Sequence, residues 1–250
     1  MMKDNFYVVL ASNLFTKEFP NNKSSHFITP LAKPLELNPE HWSCAITEIS
    51  YPQSWYNITS DENWFKVIWL KTKVERKVYF KDGYYANPKI LEQIMQKQLN
   101  KVDDDIAIFG YDEITDEFKI HIKAGKKLVL NPLLGKKLGF TQMEFTGGNH
   151  TSVNTVDLNY DTHYMYIYSN ICTESYCGNS FVKLLRTTCS DDYIGKYKGK
   201  YTTKTFVNPH YMGVASSFEN NIEIGITTDE GKEFEFLGDK VIVTLHFKRN

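Results

Sequence analysis

The chain has 250 residues, 42% hydrophobic and 24% charged, with 29 basic and 30 acidic side chains and a formal net charge of −1 at pH 7. That balance excludes wholesale disorder and disfavours a genome-packaging protein, which would be strongly basic. The length admits one large β domain or two small ones, with one elaborated domain preferred, and 16 Tyr and 16 Phe favour β structure with large contact surfaces.

In chain order, Phe6 to Ala11 is a short apolar run that predicts a first strand buried on both faces. Asn13 to Ser25 reads as a loop turning at Pro20-Asn21-Asn22, followed by a weaker extended piece at His26 to Leu31. Pro30, Pro34 and Pro39 exclude helix there. Trp42 to Tyr51 predicts a strong strand ended by Pro52, on which Glu48 is a strand-end residue or a buried acid with a partner. Trp55-Tyr56-Asn57 forms an aromatic corner, and Trp64 to Leu70 and Val74 to Phe80 read as paired strands across a charged turn.

After Asp82-Gly83 the pattern changes. Asn87 is a good helix N-cap and Pro88 a good first residue, and Ile90, Leu91, Ile94, Met95 and Leu99 recur at helical spacing. Ile106 to Tyr111 and Phe118 to Ile122 predict a hairpin around residues 112–116, and Asn131-Pro132 opens one or two helical turns before Gly139. Helix, hairpin and short helix make a compact α+β insertion, placed at residues 82–148 with Gly147-Gly148-Asn149 as its exit hinge. Residues 1–81 and 149–250 then form the two parts of one β domain.

Beyond the insertion, Tyr164, Tyr166 and Tyr168 alternate with Met165 and Ile167. The tyrosine row belongs either to a core strand whose hydroxyls reach solvent or a neighbour, or to a wet aromatic subunit interface. Phe181 to Arg186 and Tyr201 to Val207 are further strands, with a polar surface loop at Asp191 to Gly199. At the end, Ile222, Ile224 and Ile226, and then Val241, Val243, Leu245 and Phe247, keep period two on both sides of a turn-rich connection, as paired strands do. The pattern is mainly β and fits a two-sheet jelly roll or a related sandwich.

No catalytic signature appears. The seven histidines belong to no paired ligand motif, and Cys172-x4-Cys177-x11-Cys189 lacks the spacing of a zinc ribbon. With Cys44 these cysteines read as free thiols of a reducing compartment. Gly125-Lys126-Lys127 and Gly135-Lys136-Lys137 lack the glycine spacing and hydroxyl of a phosphate loop and read as lysine-bearing surface turns, and Asp103-Asp104-Asp105 as a solvated loop. No cofactor, metal or catalytic residue is expected. The sequons at Asn22, Asn57 and Asn149 read as chance matches, since no secretion signal or membrane-length apolar run is present. The expectation is a chain neither secreted nor embedded in a membrane.

Two charged features stand out. Asp103 to Glu117 is acidic while Lys119 to Lys137 holds six lysines, either a solvated two-faced surface or complementary rims that join neighbours in a ring. Lys196 to Tyr201, with Lys204, is a basic and aromatic run of the kind that binds single strands, weakened by Asp191 and Asp192. Direct nucleic-acid contact is disfavoured. Lys248-Arg249-Asn250 is a strand end or a short basic tail toward a genome.

The order of several landmarks carries a resemblance. Phe6-Tyr7-Val8-Val9-Leu10 with Ser12-Asn13, Phe19-Pro20-Asn21-Asn22, Glu48 to Trp55 with Asn57, Gly83-Tyr84-Tyr85, Leu138-Gly139-Phe140 and Leu184-Leu185-Arg186 come first. Pro209-His210-Tyr211, Phe218, Ile222-Glu223-Ile224, Asp229-Glu230-Gly231, Phe234 to Phe236 and Lys240 to Arg249 complete the set. Together they resemble the penton (minor capsid) proteins of Polinton/Maverick elements and adintoviruses. The resemblance implies a single jelly-roll β-sandwich with a small α+β insertion, and a structural, non-enzymatic role. It implies a homopentamer at the icosahedral vertices of a double-stranded DNA virus-like element, in contact with a double-jelly-roll major capsid protein. It further implies a place in the virion, assembly in the nucleus or cytoplasm, and no small-molecule substrate. The alternative from another class is a monomeric, lectin-like jelly-roll module that binds a ligand in an aromatic cleft.

Overall fold

The structure, a computed structural model, describes residues 4–190, 201–238 and 240–250. Its elements are β1 (Asn5–Ala11), β2 (His26–Glu36), β3 (Trp42–Pro52), β4 (Trp64–Trp69), β5 (Val74–Tyr79), α1 (Pro88–Asn100), β6 (Ala107–Asp112), β7 (Glu117–Leu130), α2 (Pro132–Lys137) and β8 (Glu144–Thr151). There follow β9 (Tyr164–Ser169), β10 (Ser175–Cys177), β11 (Ser180–Val182), β12 (Leu184–Cys189), β13 (Tyr201–Thr205), β14 (Met212–Gly213), β15 (Phe218–Thr227) and β16 (Ile242–Arg249). The chain divides into two compact units, Met1–Trp55 with Asp161–Asn250, and Tyr56–Tyr160.

The first unit is a jelly roll. One sheet runs β1-β16-β3-β13, with β14 also on β3, and the other runs β12-β9-β15-β2. Counting only these eight main strands in chain order, the sheets read first, eighth, third, sixth and fifth, fourth, seventh, second. Each sheet thus interleaves early and late strands, as two Greek keys require. The pleat explains the inner faces. On β16, Val243, Leu245 and Phe247 have no exposure, and they oppose Leu10, Val8 and Phe6 of β1. Ile222, Ile224 and Ile226 of β15 and Met165 and Ile167 of β9 are buried in the same way. Between β16 and β3 the register shifts at Thr47, whose hydroxyl donates to Thr244 O at 3.2 Å. That bulge brings Ile46 and Ile49, an odd number of residues apart, both into the core.

Two expectations for this unit change. β1 is an edge strand with Tyr7 and Val9 each 62% exposed, so only one of its faces is buried. β15 and β16 do not pair with each other, because the connection between them crosses from one sheet to the other. On the way it buries Phe234 against Trp55, with ring centroids 5.2 Å apart.

The second unit is α+β. Its sheet runs β5-β4-β7-β6, with β8 along β7. β7 is long enough to pair with β6 through its first half and with β4 through its second, bending at an irregularity between Ile122 and Lys127 that contains Gly125 at φ +77°. α1 starts as expected: Asn87 Oδ1 accepts from Lys89 N–H at 2.7 Å, Pro88 follows, and Leu91, Met95 and Leu99 are fully buried. β4 and β5 were expected in the jelly roll, but their hydrogen bonds lead to β7, so this unit begins at Tyr56 and not at Asp82. Gly147-Gly148-Asn149 is no exit hinge either. It lies within β8, where His121 and Ile122 of β7 pair with Asn149 and Gly148.

Candidate functional site

The strand pleat that buries one face of each jelly-roll sheet turns the other outward, and both outward faces of the first unit are aromatic. On β9, Tyr164 is 47% exposed and Tyr166 and Tyr168 are half-buried, while Met165 and Ile167 face the core. The tyrosine row is therefore the outer surface of its sheet. Burial raises the pKa of Tyr166 and Tyr168; for Tyr166 the Asp229 charge adds to this, so both rings remain neutral phenols at physiological pH. Opposite Tyr168 on β15 stands Gly225, which leaves the ring open to one side, and across Gly225 on β2 stands His26, 2.6 Å from Glu223. Beyond this row, β10 and β11 form a small hairpin whose Tyr176 and Phe181 are 82% and 56% exposed, with ring centroids 5.1 Å apart.

The outer face of the other sheet holds a cluster that sequence reading missed. Tyr7 on β1 lies opposite His246 on β16 and stacks on it at 4.4 Å. The Tyr211 hydroxyl lies 2.7 Å from His246 Nδ1, and Lys248 Nζ sits 3.7 Å from the centre of the Tyr211 ring. Burial, then the Lys248 charge, lowers the His246 pKa, so the imidazole is neutral near pH 7 and Nδ1 can accept the Tyr211 proton. The alternation along β16 contained this cluster: His246 and Lys248 alternate with the core residues Leu245 and Phe247. What it lacked was the partner strand, which fixes Tyr7 beside them.

Other sequence features fall elsewhere. The acidic and basic stretches of residues 103–137 pair with each other in part, inside the second unit: Lys119 with Asp112 at 2.8 Å, Lys123 with Asp105 at 3.3 Å and Lys126 with Asp103 at 3.2 Å. Gly135-Lys136-Lys137 is not a surface turn throughout, because Lys137 is 1% exposed and bonded to Glu62. Glu48 is half-buried and accepts a long bond from the Thr205 hydroxyl at 3.5 Å. Lys248-Arg249-Asn250 is a strand end: Arg249 N–H donates to Asp4 O at 2.9 Å and Asn250 N–H to His41 O at 2.8 Å. The polar loop at Asp191 to Gly199 and residues 196–200 of the basic and aromatic run lie outside the described residues.

Cys44, Cys172, Cys177 and Cys189 are free thiols, and burial pushes Cys44 up to about 12 and Cys172 up to about 11. Among the described residues, no three His, Cys, Asp or Glu side chains gather to hold a metal ion, and no helix is long and apolar enough to cross a membrane. Aromatic rings with neutral hydroxyls and scattered charges on two rigid sheets suit macromolecular contact.

No family model matches the chain, and no curated protein matches it. Among solved structures, the crystal structure of the selenomethionine-labelled mavirus penton protein matches at 13% identity and a TM-score of 0.52, covering 99% of this chain and all of that one. At that identity the likeness is one of fold, and the fold shared is that of a viral penton protein.

Proposed function

We propose that this chain is a penton protein of a Polinton/Maverick-type double-stranded DNA virus-like element. Five copies form a ring at each icosahedral vertex of the virion and contact a surrounding double-jelly-roll major capsid protein, and the role is structural, without catalysis or a small-molecule substrate. The observation that carries this reading is the jelly roll interrupted between its third and fourth main strands by an α+β unit, matched end to end by the mavirus penton protein. The ordered landmarks spread along the sequence support the narrower assignment, and the aromatic outer faces supply contact area suited to neighbouring subunits.

The mechanism is geometric. A contact that joins two different surfaces of the same subunit repeats head to tail and closes once the rotation per step divides a full turn. For the 29.1 kDa chain, a closed five-membered ring has a mass of roughly 145 kDa. Light scattering coupled to size exclusion measures it. A monomer at every concentration, including in the presence of the major capsid protein, overturns the reading.

A further inference from the structure

The second unit presents two exposed features of opposite charge that its own architecture holds apart. The first is the turn between β6 and β7. Ile114 stands at its tip, 95% exposed, among Asp112, Glu113, Asp116 and Glu117. The turn is stiff: Asp112 Oδ1 accepts from Ile114 N–H at 3.0 Å and Thr115 N–H at 3.3 Å, and the Thr115 hydroxyl donates to Glu117 at 2.9 Å. The Tyr111 hydroxyl donates to Asp116, and Lys119 pairs with Asp112 at 2.8 Å. Four carboxylates against one lysine leave an acidic rim around an apolar point. Because the turn is already ordered, docking it costs little conformational entropy.

The second feature is a depression of about 290 Å³ beside the turn between β4 and β5, walled by Trp69, Val74 and Val102 with Thr72 and Arg76. Its rim is basic. Lys71, Lys73 and Arg76 are exposed and form no ion pair among the described residues, whereas two nearby carboxylates are engaged, Glu75 by Lys66 at 2.9 Å and Asp103 by Lys126 at 3.2 Å, which leaves the exposed Asp104 against three basic groups. Lys126 Nζ also lies 5.2 Å from the centre of the Trp69 ring. Val74 is 50% exposed at the mouth, and the depression has room for one branched aliphatic side chain.

A lone exposed isoleucine is ordinary on a protein surface. The match between the two features is not: an apolar point in an acidic rim, and an apolar hollow in a basic one. They cannot meet within one chain. Lys126, which pairs with Trp69, is ten residues along the chain from Asp116 at the turn, and most of β7 lies between them, a span of up to roughly 30 Å in extended backbone that the bend before Lys127 shortens but does not close.

We infer that Ile114 of one copy seats in the Trp69–Val74–Val102 depression of the next copy, acidic rim against basic rim. The contact is heterologous and repeats from copy to copy. It deepens the penton reading, on which it rests for closure at five.

Two exposed substitutions test it on the full chain. Ile114→Asp removes the apolar point and keeps the hollow, and Arg76→Glu reverses one of the three basic charges at the hollow and keeps the point. Each is expected to weaken self-association about tenfold or more in low salt while leaving the circular dichroism spectrum unchanged. Mixed in equal amounts, the two variants are expected to form a 1:1 dimer that grows no further, since only one intact point faces one intact hollow. A wild-type pentamer that neither substitution disturbs overturns the contact and leaves the penton reading standing. A monomeric wild type, with no dimer in the mixture, also overturns the contact, and occupancy of capsid vertices then judges the penton reading separately.

Discussion

Lys137 Nζ lies 2.7 Å from Glu62 Oε1, and both side chains are 1% exposed. The ammonium also donates to Asn57 O at 2.7 Å, while Glu62 Oε1 accepts Thr59 N–H at 3.0 Å. One buried pair thus ties the end of α2 to the segment that opens the second unit.

Breaking that pair from one side is costly, because a charge remains in the interior without its counter-ion. Glu62→Ala or Lys137→Ala is expected to destabilise the second unit by about 3–5 kcal/mol. Glu62→Leu combined with Lys137→Met is expected to recover part of that loss, since two apolar groups need no desolvation although Asn57 O and Thr59 N–H lose these partners. Urea denaturation of the three variants checks this; equal losses in the single and double variants would contradict it.

Gly139 follows α2 at φ +82°, and its N–H and that of Phe140 close the helix on Lys136 O and Gly135 O, both at 2.9 Å. A Cβ there would lie 2.1 Å from Asn154 O. Gly139→Ala combines left-handed strain with a backbone clash and is expected to cost about 2–4 kcal/mol. Gly147→Ala, at φ +37° with open space around it, is expected to cost about 1 kcal/mol. Thermal melting of both proteins separates the two effects.

His246 gives stability a pH dependence of known sign. Its pKa in the folded chain is below the usual value of 6.5, so the unfolded chain takes up the proton first. The contribution is complete above about pH 6.5 and declines as pH falls from there toward the folded pKa. His246→Gln is expected to remove this part of the decline in melting temperature below that pH. A wild-type and variant pair with parallel profiles from pH 7.5 to 5 would sink the assignment.

The two faces of a strand are expected to respond differently. Leu245→Ala, on the inner face of β16, is expected to cost about 2–5 kcal/mol through lost burial and the cavity left behind. Tyr164→Ser, on the outer face of β9, is expected to shift stability by about 0.5 kcal/mol or less. Denaturation midpoints of the two variants provide the comparison.

Local physics was legible in the sequence wherever one residue type decides the outcome. Asn87-Pro88 opened a helix, Asn131-Pro132 opened another, and the alternation from Val241 to Phe247 gave the inner face of the last strand. Pairing was not legible, because a strand pattern carries no address for its partner. Trp64–Trp69 and Val74–Tyr79 look alike whether they complete the jelly roll or, as they do, the sheet of the second unit. The glycines of β8 masked a strand whose second half is held by its ladder with β7, while Phe145 in its first half enters the core. The same limit hid the contact of Tyr7 with His246, which lie 239 positions apart in sequence.

The vertex assignment is the central claim, and an icosahedral reconstruction of particles made by co-expressing this chain with the proposed double-jelly-roll major capsid protein tests it most directly. The account predicts five copies of the jelly roll around each five-fold axis, with density for both units of the chain. Particles whose five-fold positions are closed by the major capsid protein alone, with this chain present in the preparation but absent from them, would contradict it.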